Sequence, residues 1–262
     1  MERNYGKELF PEGGLNFRDL GGYPTGNGKT VRRWSLFRSG KLTGLTVRDR
    51  EKLASLSVTA ILDYQDRDEA RKAPDHAWKG AAVYAAPALS DIMRARGLSA
   101  DVRKLVQSMP QNFDGAKLMK DLYRELPFHN QAYKSLFDLL SDEKRQGGLV
   151  QHCSAGKDRT GVGSALTLLA LNVPLDTVYE DYLATNAKLG SFGAEILERT
   201  GGANLPSETL KKLSPLIEAR KEYLEEALNA ILQTYGDFDA YFEREYGLTP
   251  QKREALCIRY LE

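Results

Sequence analysis

The chain has 262 residues, with 37 Lys and Arg balanced by 36 Asp and Glu for a formal net charge of +1. That length can bury a sizeable core, and the charge balance gives no global reason to bind nucleic acid or an acidic membrane, so any grip on anions has to come from a local site. Two cysteines and three histidines supply neither a disulfide framework nor a cluster with metal-ligand spacing, and no stretch of about 18 apolar residues offers a membrane span.

From the N-terminus, Met1 to Gly6 lacks the apolar core of a signal peptide. The chain reads as cytoplasmic as written, with secretion open if a leader was removed. Thr46 to Leu56 reads as an amphipathic helix marked by Leu45, Leu53 and Leu56. Val58 to Asp63 then reads as a buried strand and Ala81 to Ala86 as another. Residues 88–128 stand apart as a helical insertion, where Met93, Met109 and Met119 lie beside Arg94, Arg96, Arg103, Lys104, Lys117, Lys120 and Arg124. Methionine suits contacts that change, so the insertion is expected to act as a mobile lid, its basic residues either a solvated face or a greeting for anions.

Gly148 to His152 is a third strand, followed by a glycine-containing loop and a helix from Gly161 to Asn172 that is apolar nearly all round and stops before Pro174. Ser214-Pro215 reads as a helix cap with proline in the first turn, preceding a stripe of Ile217, Leu224, Leu228 and Ile231. Thr249-Pro250 repeats that signal before Leu256, Tyr260 and Leu261, with Cys257 read as a core cysteine beside them. Alternating strands and helices predict an α/β fold with a central, mainly parallel sheet flanked by helices. The expectation is one domain over 1–262 carrying the 88–128 insertion.

The chemistry sits in His152-Cys153-Ser154-Ala155-Gly156-Lys157-Asp158-Arg159-Thr160-Gly161. A strand delivers Cys153 to a sheet edge, and a tight turn at Gly156 aims backbone N–H groups inward. Such a nest, with a helix N-terminus behind it, binds a phosphate dianion. The same positive surroundings favour a thiolate, and Arg159 adds a planar fork that matches two phosphate oxygens. Cys153 is therefore the expected nucleophile of a phosphate-monoester hydrolase acting through a phosphocysteine, with Ser154, Ala155, Gly156, Lys157, Asp158 and Arg159 lining the anion site. Thr160 is expected to donate to the sulfur as it leaves.

This loop resembles the protein tyrosine phosphatase signature, Cys-x5-Arg followed by Ser or Thr. The wider chain resembles a bacterial tyrosine-phosphatase group that includes secreted members, through Asn16-Phe17-Arg18-Asp19-Leu20-Gly21-Gly22, Leu36-Phe37-Arg38-Ser39-Gly40 and Tyr246-Gly247-Leu248-Thr249. It departs at Asp63-Tyr64-Gln65, where the group reads Asp-Leu-Arg or Asp-Tyr-Arg; Arg67 is the nearby substitute. The resemblance implies a tyrosine-phosphatase-like fold without a cofactor. It implies phosphorylated protein or phosphoinositide as substrate and inorganic phosphate as product and loop ligand.

The site roles it implies have alternatives. Asp158 is the first choice of general acid and Asp63 the second, although Asp158 also suits a loop-stiffening role. Lys157 either grips a second phosphate or only raises the local potential. His152 orients the loop or is simply a satisfied strand-end histidine. Asn16, Arg18 and Asp19 either brace the site or form a salt-bridged turn away from it. A sulfurtransferase and a non-catalytic phosphate-binding module are the rival functions; the spacing from Cys153 to Arg159 argues against the first, and the presence of both residues against the second.

Overall fold

The computed structural model describes residues 12–89, 92, 112–189 and 207–262. Its strands are β1 (Arg18–Asp19), β2 (Leu36–Ser39), β3 (Val58–Asp63), β4 (Ala82–Ala85) and β5 (Gly148–His152). Helices α1 (Val47–Ser55) and α2 (Arg67–Lys72) flank β3; α3 (Gly115–Glu125) and α4 (Gln131–Ser141) precede β5. After it come α5 (Arg159–Ala170), α6 (Leu175–Lys188), α7 (Ser207–Ile217), α8 (Lys221–Tyr235), α9 (Phe238–Tyr246) and α10 (Pro250–Tyr260). The sheet order is β1-β2-β5-β3-β4, with β1 antiparallel to β2 and every other pair parallel. No helix among the described residues is long and apolar enough to cross a membrane.

The pleat sorts side chains to two faces. Phe37, Val150 and Ile61 form one row across β2, β5 and β3, packed with Leu53 of α1 and with Trp78. Leu36, Leu149 and Ala60 point the other way into the larger core, which includes Val162, Leu166 and Leu169 of α5. Continuing that alternation places His152 on the α1 face and Cys153 on the α5 face. Strand β5 is central, and its carboxyl end lies level with Ser39 and Asp63. In parallel sheets that edge is where ligands bind.

The sequence expectations for β3, β4, β5 and α1 hold to within a residue or so. Helix α5 begins two residues earlier than expected, which puts Arg159 and Thr160 in its first turn. The cap expected at Ser214-Pro215 is overturned: both residues lie inside α7. The Ser214 hydroxyl bonds back to the Lys211 carbonyl, and the next helix starts only at Lys221. A proline so near a helix end removes a single bond, which the end tolerates. The cap at Thr249 is as expected, its hydroxyl accepting from the Lys252 N–H with Pro250 in the first turn.

Most of the expected lid, 90–91 and 93–111, lies outside the described residues. Its last part is α3, which buries Met119, Leu122 and Tyr123 in the main core. The cations on this part are paired: Lys117 with Asp121, Lys120 with Glu222 and Arg124 with Glu226. This part of the insertion packs against α7 and α8. Cys257 is half-buried at the margin of the core.

Candidate active site

The turn after β5 is shaped from outside by hydrogen bonds to its carbonyls. The Lys41 N–H donates to Ser154 O at 3.0 Å. Asn16 Nδ2 donates to Ala155 O at 3.1 Å and to Gly156 O at 3.0 Å. Arg38 Nη2 donates to the same Gly156 O at 2.8 Å. In a trans peptide the C=O and the following N–H point in opposite directions. Three carbonyls pulled outward therefore turn the N–H groups of Ala155, Gly156 and Lys157 toward the loop interior, which is the anion nest the sequence implied. Gly156 makes the turn with φ +69, and a Cβ there would sit 2.5 Å from Ser39 O, so only glycine fits against β2.

A buried ionic frame holds those donors. Asp181 of α6 accepts from Arg18 Nε at 2.9 Å, from Tyr23 at 2.8 Å and from Arg38 Nη1. Arg18 Nη1 donates to Asn16 Oδ1 at 2.5 Å, fixing which way the Asn16 amide faces. Burial opposes the charge of Asp181, but Arg18 and Arg38 outweigh it and hold its carboxyl far below the usual range. Asn16 itself has φ 53, a left-handed conformation that asparagine tolerates. Asn16 and Arg18 thus brace the loop, Asn16 directly and Arg18 through it. Asp19 does not: its carboxylate accepts from Gly21 N and Trp34 N and closes a turn, while burial raises it to about 6. Arg38 and Asp181 are frame members that spacing alone did not reveal.

Arg159 enters from the first turn of α5 and meets Glu69. Its Nη1 lies 2.5 Å from Glu69 Oε2 and its Nη2 2.9 Å from Oε1. Glu69 Oε1 also accepts from the Ser154 hydroxyl at 2.6 Å, and Ser154 Oγ in turn accepts from Gln65 Nε2 at 3.2 Å. Burial works against the charge on Glu69, yet Arg159 holds its carboxyl down to about 2. Burial likewise opposes the charge of Arg159, and Cys153 and Glu69 raise it above its ordinary value. Sequence reasoning missed Glu69, which stands among Asp66, Arg67 and Asp68 with no motif to single it out. Arg67, the expected substitute at the departure from the group's pattern, is exposed on α2, and Gln65 makes the loop contact instead.

Cys153 is buried, and the loop and the first turn of α5 offer donors fitted to an oxyanion or a sulfur. Arg159 Nε and Thr160 Oγ1 are buried without a hydrogen-bond partner among the described residues, and the inward N–H groups complete the set. Asp158 stands just before α5 without a side-chain cap bond to it, about a quarter exposed, at 26%. Its Oδ1 accepts from Tyr123 at 2.7 Å and lies 3.3 Å from Lys157 Nζ. Lys157 Nζ also donates to Leu216 O at 2.6 Å and to Glu218 O at 3.3 Å.

On the α1 face, His152 Nε2 is 2.9 Å from Asp75 Oδ2 and 3.6 Å from Asp63 Oδ1. Burial would lower the His152 pKa, but the two carboxylates raise it. Burial raises Asp63, whose Oδ1 also accepts from the Gln65 N–H. Ligand-type atoms of Asp63, Asp75 and His152 lie within 4.8 Å of one another. His152 thus sits behind the loop against Asp75, and Asp63 lies in this rear group rather than at the loop rim.

A sequence model of the tyrosine phosphatase family matches residues 10–262. The chain is 32% identical over 231 residues to a candidate tyrosine-protein phosphatase of Cupriavidus necator, covering 86% of this chain and 79% of the relative. It is 28% identical over 263 residues to the triple specificity protein phosphatase PtpB of Mycobacterium tuberculosis, covering 90% of this chain and 93% of the relative. A tyrosine-protein phosphatase of Nostoc commune is 29% identical over 149 residues, 55% of this chain and 46% of its own length.

Proposed function

Since this chain belongs to the tyrosine phosphatase family and is a cysteine-dependent phosphate-monoester hydrolase, we propose a division of labour among its loop residues. Cys153 Sγ attacks phosphorus in line, and the bond to the substrate oxygen breaks. The departing oxygen takes a proton from Asp158, the carboxyl at the loop rim. The inward N–H groups and Arg159 receive the equatorial oxygens. Glu69 and the Tyr64 carbonyl take both Nη1 hydrogens and one on Nη2, so Nε and the remaining Nη2 hydrogen are left for the phosphoryl group. Water then attacks the phosphocysteine and gives a proton back to Asp158. The P–S bond breaks, its electron pair returns to sulfur, and Thr160 donates to the thiolate as inorganic phosphate leaves.

The observation that carries this reading is the pairing of Cys153 with two buried donors that have no partner among the described residues, Arg159 Nε and Thr160 Oγ1. The family match over residues 10–262 supports one phosphatase domain. Phosphotyrosine in proteins is the leading substrate. The name of the Mycobacterium tuberculosis relative, a triple specificity phosphatase, supports extending the range to phosphoserine and phosphothreonine. Phosphoinositides stand second, because Lys157 is engaged with backbone carbonyls. The test is turnover of p-nitrophenyl phosphate and of a panel of phosphopeptides and phosphoinositides by wild type and Cys153→Ser. Wild type should hydrolyse the phosphopeptides and the variant should bind phosphate without turnover. Residual turnover above a few percent in Cys153→Ser would remove Cys153 from the nucleophile's role.

A further inference from the structure

Lys157 stands in the middle of the phosphate loop, but its charge is spent elsewhere. An ammonium has three N–H donors and no acceptor. Three oxygens surround Lys157 Nζ: Leu216 O at 2.6 Å, Glu218 O at 3.3 Å and Asp158 Oδ1 at 3.3 Å. The residue is 2% exposed. Leu216 lies in the last turn of α7 and Glu218 just beyond it. The end of a helix carries unpaired carbonyls and partial negative charge, which a cation satisfies.

The chain after α7 is pinned a second time. Asn186 of α6 donates to Ala219 O at 2.7 Å and accepts from Ala219 N at 2.8 Å. On the loop's other flank, Gln65 is neutral and gives its amide to Ser154. A second phosphate on the substrate would have to strip Lys157 of these bonds at a position only 2% exposed.

We infer that Lys157 is a latch between the phosphate loop and the C-terminal end of α7, and that the site consequently selects esters by a single phosphate group. This rests on the phosphatase reading above and narrows it: a neighbouring phosphate on the same substrate adds little to binding. Through its contact with Asp158, the latch also makes Lys157 a positioning residue for the acid.

The decisive measurement is calorimetric binding of inositol monophosphate and of a vicinal inositol bisphosphate to Cys153→Ser. The latch predicts affinities within about threefold of each other, and Lys157→Met in that background should weaken both alike. In wild-type background Lys157→Met should slow phenyl phosphate more than p-nitrophenyl phosphate, because Asp158 loses a partner. It should also speed amide exchange across 207–217. A bisphosphate bound tenfold or more tightly than the monophosphate, with the advantage lost on Lys157→Met, would overturn the inference. If Lys157→Met fails to fold, the affinity ratio in Cys153→Ser decides alone. Binding of neither ligand would strike at the phosphate loop itself, and unchanged exchange of 207–217 in Lys157→Met would then still overturn the latch.

Discussion

Replacing Asn16 by alanine should damage the loop without touching any atom that meets substrate. The side chain is 3% exposed. It donates to two loop carbonyls, Ala155 O and Gly156 O, and accepts from the Arg18 guanidinium. A neutral hydrogen bond is worth about 1 kcal/mol net and one to a charged group about 1.5–3. Alanine at φ 53 adds about 1 kcal/mol, because its Cβ meets the following carbonyl. Arg18 keeps its bonds to Asp181, and Gly156 O keeps Arg38, so part of the loss is recovered. The expected destabilisation is about 3–4 kcal/mol by urea unfolding. Asn16→Gly should be milder by about 1 kcal/mol, since glycine accepts the backbone conformation. With Ala155 O released, the Gly156 N–H loses its aim. Loss of one well-placed donor costs on the order of 10²-fold in turnover, so kcat/KM for p-nitrophenyl phosphate should fall by about that factor in both variants. An Asn16→Ala protein within about 1 kcal/mol of wild type and with unchanged kcat/KM would refute the carbonyl-bracing argument.

Arg159→Lys should lose about 10³-fold in kcat/KM, because a single ammonium cannot hold Glu69 and a phosphoryl group together; near-normal kinetics would show that charge alone suffices. Asp158→Asn should slow phenyl phosphate more than p-nitrophenyl phosphate, as an acid matters most for a basic leaving oxygen, and equal slowing would make Asp158 a loop stiffener. His152 is held above its ordinary 6.5 by Asp75 and Asp63. Its contribution to stability is therefore fully present below that value and is lost as pH rises through the folded value. Asp75→Asn should flatten this decline in unfolding free energy on the alkaline side, and an unchanged pH profile would dismiss the pair as a source of stability.

Much of the site was legible because it is local. Strand β5, the loop and the first turn of α5 are contiguous, so Cys153, Arg159 and the nest could be read from one stretch of residues. What spacing could not reveal is who holds that stretch. Glu69 is one more charge beside Asp66, Arg67 and Asp68 until α2 is laid against the loop. Asp181 lies on a helix whose apolar pattern gives no hint of a buried carboxylate between two arginines. Lys157 was open in the sequence between a second phosphate and the local potential, and its length carries the charge to the end of α7. Asp63 followed the same course: its position at a strand end suggested acid catalysis, and the pleat put it on the α1 face with His152. Pro215 was read as a beginning because proline favours first turns, but a final turn accommodates it as well.

The frame around Gly156 also determines when, during folding, the cysteine becomes dangerous. Asn16 reaches Gly156 across 140 positions of chain, Arg38 across 118, and Arg18 reaches Asp181 across 163. Closing loops of that size is entropically costly and comes late, after local helices and neighbouring strands have formed. A nascent or partly folded chain can therefore display Cys153 at the end of β5 without the inward amides that make it a nucleophile. On this reasoning reactivity is expected to arrive with the last long-range contacts, with Asn16, Arg18 and Arg38 serving as a safety catch released by completion of the native state.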